Sequence, residues 1–230
     1  LIGQTQLDPA MLGSNRVNGL TAAVLGWLLA TMSWRKTAVN LVLTRQLAQR
    51  QRELEAKQTE LRRLATRDGL TGLYNRATMD RLGRRELARA ARHGLQVGLL
   101  VIDLDHFKRI NDRWGHPAGD AVLTRAAKVL KRSVRKSDFV ARLGGEEFMV
   151  LLPHTDAPAA AQLAEKLRER IAQSLVPVAD DVIDVTASIG VAATPAQAQD
   201  ADFSALYLAA DRAMYRAKAA GRNCVVVDAA

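Results

Sequence analysis

Two short apolar runs separated by the dipeptide Gly144-Gly145 predict one supersecondary unit of this chain. Glycine adopts the positive φ angles of tight hairpin turns, so a Gly-Gly pair between two such runs is a strong turn signal. We therefore predict that residues 139–143 and 147–152 form the two antiparallel strands of a β-hairpin.

The sequence around this hairpin alternates between strand and helix patterns from about residue 66 onward. Residues 96–103 form an apolar run that ends in an acid, which predicts a central strand. Helices and further strands are predicted from periodicity and flanking turn residues: helices over 119–134, 157–175 and 204–220, and strands over 182–192 and 224–227. Mixed elements around a central hairpin indicate an α+β fold of packed layers.

The segment 35–65 has no proline or glycine and is rich in strong helix formers, so it is predicted to be a helical linker. Leu47, Leu54 and Leu61 recur every seven residues, but the other seam positions are polar or small. This weak heptad pattern fits either a single solvated helix or a parallel dimeric coiled coil. We prefer the coiled coil, because a signal received upstream must reach the folded domain that follows.

Residues 17–34 form an 18-residue run without a charged side chain. That length is close to the minimum for crossing a bilayer core of about 30 Å. Arg35 and Lys36 follow at once, and basic residues favour the cytoplasmic side. A transmembrane helix is preferred here over a buried or partner-packed helix. The predicted division of the chain is an N-terminal fragment (1–16), a membrane helix (17–34), the linker (35–65) and a folded domain (66–230).

The positive charge of the chain is concentrated in the linker. The formal net charge is +9, and +6 of it lies between residues 35 and 67. Aromatic residues are only 4% of the chain, which leaves little surface for stacking nucleic-acid bases. We therefore predict no nucleic-acid partner. With Cys224 as its one cysteine, the chain forms no intrachain disulfide.

Acidic residues are placed where predicted strands end. Asp103 and Asp105 close the strand 96–103, and Glu146 and Glu147 follow the Gly-Gly turn. If the two strands are neighbours, these carboxylates converge at one edge of the sheet. Carboxylate oxygens suit Mg²⁺, which commonly binds substrate phosphates as well. Acids are also common in exposed turns, so the spacing alone leaves a metal site and a solvated turn equally open.

Four motifs, in order, resemble those of the GGDEF family of diguanylate cyclases. They are DGLTGLYNR at 68–76, DLDHFKRINDRWGHPAGD at 103–120, RLGGEEF at 142–148 and YRAKAAGRN at 215–223. The resemblance implies a palm-like nucleotidyl-cyclase fold, with a central mostly antiparallel sheet flanked by helices and a long helix before it. It also implies an enzyme that condenses two GTP into cyclic di-GMP and releases two pyrophosphates.

The resemblance assigns roles to single residues. Mg²⁺, two ions per GTP with Mn²⁺ as a substitute, would be bound by Asp103, the Leu104 carbonyl, Glu146 and Glu147. Glu146 would also act as the catalytic base toward the ribose 3′-hydroxyl. The guanine edge would be bound by Asn111 and Asp120, and the triphosphate by Lys108, Lys218, Arg222 and the backbone at Phe107 and Gly145. Lys108 would also offset the charge that develops during catalysis.

Regulation and assembly are implied in the same way. Arg135 and Asp138 form an Arg-x-x-Asp motif, which at this distance from the hairpin resembles the family's inhibitory site for its product. Because each domain would hold one GTP, the resemblance implies a homodimer. A membrane helix would place the protein in a bacterial inner membrane, with the folded domain in the cytoplasm. The alternative is a catalytically silent receptor for GTP or cyclic di-GMP with the same fold.

Overall fold

The computed structural model describes residues 9–178, 181–195 and 202–228. The chain divides into two units, Leu1–Leu61 and Arg62–Ala230. The described part of the first unit is most of one long helix, α1 (Pro9–Thr66). The helical linker predicted for residues 35–65 lies within it.

The leucine stripe of α1 is exposed. The exposed fractions of Leu47, Leu54 and Leu61 are 62%, 66% and 66%. Three large apolar side chains at heptad spacing therefore have no covering surface within the described chain. This is compatible with both interpretations of the linker, and the coiled coil stays a prediction.

The apolar part of α1 does not qualify as a membrane span. Within the described residues, no helix carries a continuous apolar stretch of membrane-spanning length. The transmembrane helix predicted for residues 17–34 is therefore not supported.

The second unit is built on a six-stranded sheet flanked by helices. Its elements are β1 (Tyr74–Asn75), α2 (Arg76–His93), β2 (Val97–Leu104), α3 (Phe107–Trp114), α4 (His116–Ser133), β3 (Phe139–Gly144), β4 (Glu147–Pro153), α5 (Ala157–Ala172), β5 (Val176–Val178), β6 (Asp181–Ile183), β7 (Ala187–Ala193), α6 (Phe203–Ala219) and β8 (Val225–Val227). The strand order is β1-β3-β4-β2-β7-β8. The four central strands are antiparallel to one another, and β1 and β8 pair in parallel at the edges. This confirms the predicted α+β fold with a mostly antiparallel sheet.

Strand β2 lies in the middle of the sheet, and all eight of its residues are buried. Leu100 and Ile102 pack on the side covered by α3, α4 and α5. Leu99 and Val101 pack on the opposite side, against α2 and α6. Because side chains alternate along a strand, this register places Asp103 on the side of α2 and α6.

The predicted strand over residues 182–192 is wrong as a single element. The chain forms two strands there, β6 and β7, and they belong to different sheets. Strand β6 pairs with β5 in a small hairpin, whereas β7 pairs with β2 in the main sheet. Residues 184–186 make the change of direction. Helices α2 and α3 were not predicted, and α3 has only eight residues, too few for a clear periodic pattern.

Candidate active site

Strands β2 and β4 bring two of the predicted acids face to face. Asp103 and Glu147 are directly opposite each other in the antiparallel ladder. The backbone N–H of Leu104 donates to the carbonyl of Glu146 at 3.3 Å, so the hairpin turn is attached to the end of β2. Of the four predicted acids, the strand pairing therefore brings Asp103 and Glu147 together at this end of the sheet. Like charges at facing positions destabilise a sheet unless a positive charge offsets them.

Lys218 supplies a positive charge at this edge. Its Nζ lies 2.7 Å from Oδ2 of Asp103, whose side chain points toward α6 and is only 5% exposed as a residue. Burial raises the pKa of Asp103, and the ion pair with Lys218 only partly opposes that effect. The charges of Glu146 and Glu147 raise the pKa further. The site therefore holds more negative charge than its one lysine neutralises.

The donor atoms at this edge suit a hard divalent cation. Carboxylates of Asp103, Glu146 and Glu147, with the carbonyl of Leu104, form the all-oxygen set that Mg²⁺ prefers. Among the described residues, however, no three Asp, Glu, His or Cys side chains are grouped closely enough to enclose an ion. Asp103 is instead paired with Lys218. The chemistry of the donors fits a metal, and the positive charge beside Asp103 is that of Lys218.

The Gly-Gly turn is held by a residue pair that the sequence analysis did not single out. Gly144 and Gly145 have φ angles of +148° and +49°, which side-chain-bearing residues rarely adopt. Arg142 Nε donates to the carbonyl of Gly145 at 2.9 Å, and its Nη1 lies 3.3 Å from the carboxylate of Asp68. Both residues stand in the quoted motifs, which was the only signal of their role.

The Asp68 carboxylate is itself fixed by a local turn. It accepts from the backbone N–H of Thr71 at 2.8 Å and from the Thr71 hydroxyl at 2.6 Å. Burial alone would raise the pKa of Asp68, but these hydrogen bonds and the guanidinium of Arg142 outweigh it and lower the pKa below its usual value. The Asp68 carboxylate of the first motif is therefore ionised, and it supports the hairpin turn through Arg142.

Helix α3 presents its start to the same end of β2. His106 has a φ of +58° and precedes the helix without capping it through its side chain. Phe107 is buried in the core, and Lys108 is exposed beside it. The free backbone N–H groups of a first helical turn attract anions. The predicted backbone contact at Phe107 is therefore chemically suited to a phosphate.

The predicted guanine-binding residues lie on two helices joined by a glycine. Asn111 is on α3, and Asp120 is exposed on the first turns of α4. Gly115, with a φ of +80°, donates its N–H to the carbonyl of Asn111 at 2.9 Å. A Cβ on Gly119 would lie 2.0 Å from Oδ1 of Asn111. Gly119 therefore makes the room that the Asn111 side chain occupies, a positioning role that the sequence analysis missed.

Three predicted ligand-binding residues, Lys108, Asp120 and Arg222, are exposed. Lys108 and Asp120 lie on α3 and α4, and Arg222 lies in the turn after α6. Within the described residues, none of them forms an ion pair with Asp103, Glu146 or Glu147. Of the predicted basic residues, the structure therefore joins Lys218 alone to the acids.

The Arg-x-x-Asp motif forms a closed turn before β3, away from the acids. The backbone N–H of Arg135 donates to Oδ2 of Asp138 at 2.8 Å, and the N–H of Asp138 donates back to the carbonyl of Arg135 at 3.1 Å. Both residues line a cavity of about 680 Å³, to which His154 and Lys166 also contribute. None of the acids at the end of β2 lines this cavity.

Comparison with known proteins identifies the second unit. Residues 65–224 match the family described as "Diguanylate cyclase, GGDEF domain". The chain is 46% identical over 162 residues to diguanylate cyclase DgcP of Pseudomonas aeruginosa. The aligned segment covers 70% of this chain and 24% of that protein. Several other curated relatives are also much longer, and the chain spans less than half of their length.

Two solved structures are similar in fold. One is the coiled coil and GGDEF domain of DgcB from Caulobacter crescentus in complex with c-di-GMP: TM-score 0.71, 34% identity, 80% of this chain and 98% of that chain covered. The other is the active GGEEF domain of a diguanylate cyclase from Vibrio cholerae: TM-score 0.63, 34% identity, 68% of this chain and 97% of that one covered. With the family match covering most of its length, this chain belongs to the GGDEF diguanylate cyclase family.

Proposed function

We propose that this chain is a diguanylate cyclase that joins two GTP molecules into cyclic di-GMP and releases two pyrophosphates. The observation that carries the proposal is the pairing of Asp103 with Glu147 across β2 and β4, with Lys218 at 2.7 Å from Asp103. Carboxylates and a lysine at one sheet edge provide both a cation site and a phosphate contact. Membership of the GGDEF family supports the same reaction.

The metal site of this enzyme would be formed by Asp103, the Leu104 carbonyl, Glu146 and Glu147, with Mg²⁺ as the natural ion, two per GTP, and Mn²⁺ as a substitute. When bound, such ions neutralise the triphosphate and polarise the reacting oxygens. Lys218 would exchange Asp103 for a phosphate oxygen of the substrate.

The remaining roles belong to the chain's own side chains. Glu146 would accept the proton of the ribose 3′-hydroxyl as it attacks the α-phosphate of the other GTP. Lys108, Lys218 and Arg222 would hold the triphosphate and offset its negative charge. Backbone N–H groups near Phe107 and Gly145 would complete the phosphate contacts.

The reaction requires two domains, because each would hold one GTP. We propose a homodimer formed through α1. The exposed stripe of Leu47, Leu54 and Leu61 offers an apolar seam at heptad spacing. The DgcB structure, which contains a coiled coil before its GGDEF domain, supports the same arrangement.

The direct test is to incubate the purified chain, stripped of bound nucleotide, with GTP and Mg²⁺ and to identify the products. Cyclic di-GMP and pyrophosphate in a 1:2 ratio are expected. Light scattering at micromolar concentrations establishes in parallel that the sample is dimeric, with twice the chain mass of 25.1 kDa. A dimer that binds GTP or cyclic di-GMP and forms no product would favour the alternative function, a catalytically silent receptor for one of these nucleotides.

The guanine site makes a specific prediction about Gly119→Ala. The added Cβ would lie 2.0 Å from Oδ1 of Asn111 and 3.1 Å from the ring of Phe107, so the Asn111 amide must move. We expect GTP affinity to fall about tenfold through the lost hydrogen bonds to guanine. Calorimetric titration with a non-hydrolysable GTP analogue measures this.

A matched comparison separates this effect from general damage. Asn111→Ala should cause a similar loss, and adding Gly119→Ala to it should cause little more, because the two changes remove the same contact. Wild-type affinity in Gly119→Ala would show that Asn111 does not bind guanine in this position.

The Arg-x-x-Asp turn makes a prediction about inhibition. The carboxylate of Asp138 accepts from the backbone N–H of Arg135, so the turn that carries Arg135 is fixed beside the 680 Å³ cavity that both residues line. We propose that this cavity binds the product. Arg135→Ala should raise the cyclic di-GMP concentration that halves the initial rate by at least about tenfold, since a charge-assisted contact is lost.

The neighbouring Lys136→Ala is the matched control, because it removes an exposed positive charge from the same turn. Initial rates at increasing added cyclic di-GMP give the comparison. Equal half-inhibitory concentrations in wild type and Arg135→Ala would argue against an inhibitory site at this turn.

A further inference from the structure

Asp105 is a buried carboxylate that the proposed chemistry does not use. It follows Asp103 by two residues and is only 4% exposed. Its Oδ1 accepts from the Ser188 hydroxyl at 2.7 Å. Its Oδ2 accepts from the Thr186 hydroxyl at 2.7 Å and from the backbone N–H of Asn223 at 3.0 Å. Asp105 therefore joins the end of β2 to the start of β7 and to the turn after α6.

These contacts distinguish Asp105 from a metal ligand. The pattern Asp-x-Asp at the end of a strand suggests two ligating carboxylates. In the structure, both oxygens of Asp105 accept from neutral protein donors, whereas Oδ2 of Asp103 lies against the charged end of the Lys218 side chain. A carboxylate with this many internal hydrogen bonds serves to fix backbone.

The backbone that it fixes is an unusual turn. Gly221, Arg222 and Asn223 have φ angles of +110°, +68° and +44° in succession. For residues with a side chain this conformation is costly and persists only where the surroundings enforce it. Asp105 binds the N–H of Asn223 from one side, and Arg168 Nη1 on α5 donates to Oδ1 of Asn223 at 2.8 Å from another.

Arg222 is the middle residue of this turn, and it precedes Asn223, which Asp105 and Arg168 both contact. It is exposed, and its N–H donates to the carbonyl of Ala217 at 3.1 Å, which closes the turn against the end of α6. Lys218, which reaches Asp103, precedes it by four residues. The direction of the Arg222 side chain therefore depends on the left-handed conformation that Asp105 and Arg168 enforce.

We infer that Asp105 and Arg168 are positioning residues that hold the 221–223 turn so that Arg222 meets the triphosphate of GTP. This rests on the proposed function, because GTP is its substrate. Neither residue touches the nucleotide, and both act through Asn223.

The test uses the full chain and four variants: Asp105→Asn, Arg168→Met, Arg222→Ala and Arg168→Met combined with Arg222→Ala. Arg168→Met matters most, because it keeps most of the bulk of the side chain and changes a residue of α5 rather than a neighbour of Asp103 in sequence. The affinity for a non-hydrolysable GTP analogue with Mg²⁺ is measured by calorimetry. We expect each single variant to bind about tenfold more weakly than wild type.

The decisive comparison is the double variant. If Arg168 acts through Arg222, Arg168→Met should cause almost no further loss once Arg222 is alanine. Leu167→Ala, a change in the buried core one residue away, is the control for simple destabilisation and should leave the affinity unchanged. Thermal unfolding of every variant is recorded alongside.

Two results would overturn the inference: wild-type affinity in both Asp105→Asn and Arg168→Met, or an equal loss from Arg168→Met with and without Arg222. A wild-type chain that binds the analogue but forms no cyclic di-GMP removes the cyclase proposal and leaves this coupling measurable. A wild-type chain that binds no GTP analogue overturns both.

Discussion

Glu146→Gln is expected to reduce the rate of cyclic di-GMP formation by at least about a hundredfold, the effect typical of losing a general base. Glutamine keeps the size of the side chain but neither accepts a proton nor carries the charge that attracts a cation. Glu146 lies in the hairpin turn, where its carbonyl accepts from the N–H of Leu104. That backbone contact survives the substitution, so the turn should keep its place beside Asp103.

The measurement is the initial rate of product formation at saturating GTP and Mg²⁺, with nucleotide-free protein and dimer content checked beforehand. Glu169→Gln is the matched control, since it makes the same chemical change at an exposed position on α5. The control should form product at the wild-type rate. A Glu146→Gln enzyme that keeps more than about a tenth of the wild-type rate would exclude Glu146 as the base.

The part of the fold that could be predicted from sequence is the part determined by local chemistry. The hairpin of β3 and β4 was predicted because Gly144-Gly145 specifies its turn within a few residues. The break between β6 and β7 was missed because β6 pairs locally with β5, whereas β7 pairs with β2, which lies far away in the chain. Apolar residues on both sides of residues 184–186 concealed the change of sheet.

The same distinction applies to the site. The meeting of Asp103 with Glu147 follows from the pairing of β2 with β4, which the sequence prediction had to assume. The contact of Arg142 with Asp68 joins residues 74 positions apart, and that of Asp105 with Asn223 joins residues 118 apart. Such contacts depend on how helices lie on the sheet, which periodicity within one segment does not encode. Motif resemblance marked these residues without revealing what they touch.

Of the proposed substitutions, Gly190→Ala should lower the free energy of unfolding most, because this glycine sets how closely α6 approaches the sheet. Gly190 lies in β7, and a Cβ there would be 2.0 Å from the carbonyl oxygen of Ala210 and 2.1 Å from the backbone nitrogen of Met214. Both obstructing atoms belong to the backbone of α6, so no change of side-chain rotamer relieves the clash. We expect the free energy of unfolding to fall by about 3 kcal/mol or more, the upper range for overpacking a core.

This substitution also connects packing with the site, since Lys218 is carried by the same helix. A displaced α6 would move Nζ of Lys218 away from the buried carboxylate of Asp103, so GTP turnover should fall further than the unfolded fraction explains. Urea denaturation and product formation, measured on the same samples, separate the two effects. Gly69→Ala is the control, because a Cβ there meets no atom within 4 Å. If Gly190→Ala unfolded at the same urea concentration as Gly69→Ala, α6 would have to pack at a greater distance from β7. The ion pair between Lys218 of α6 and Asp103 would then lose its structural basis.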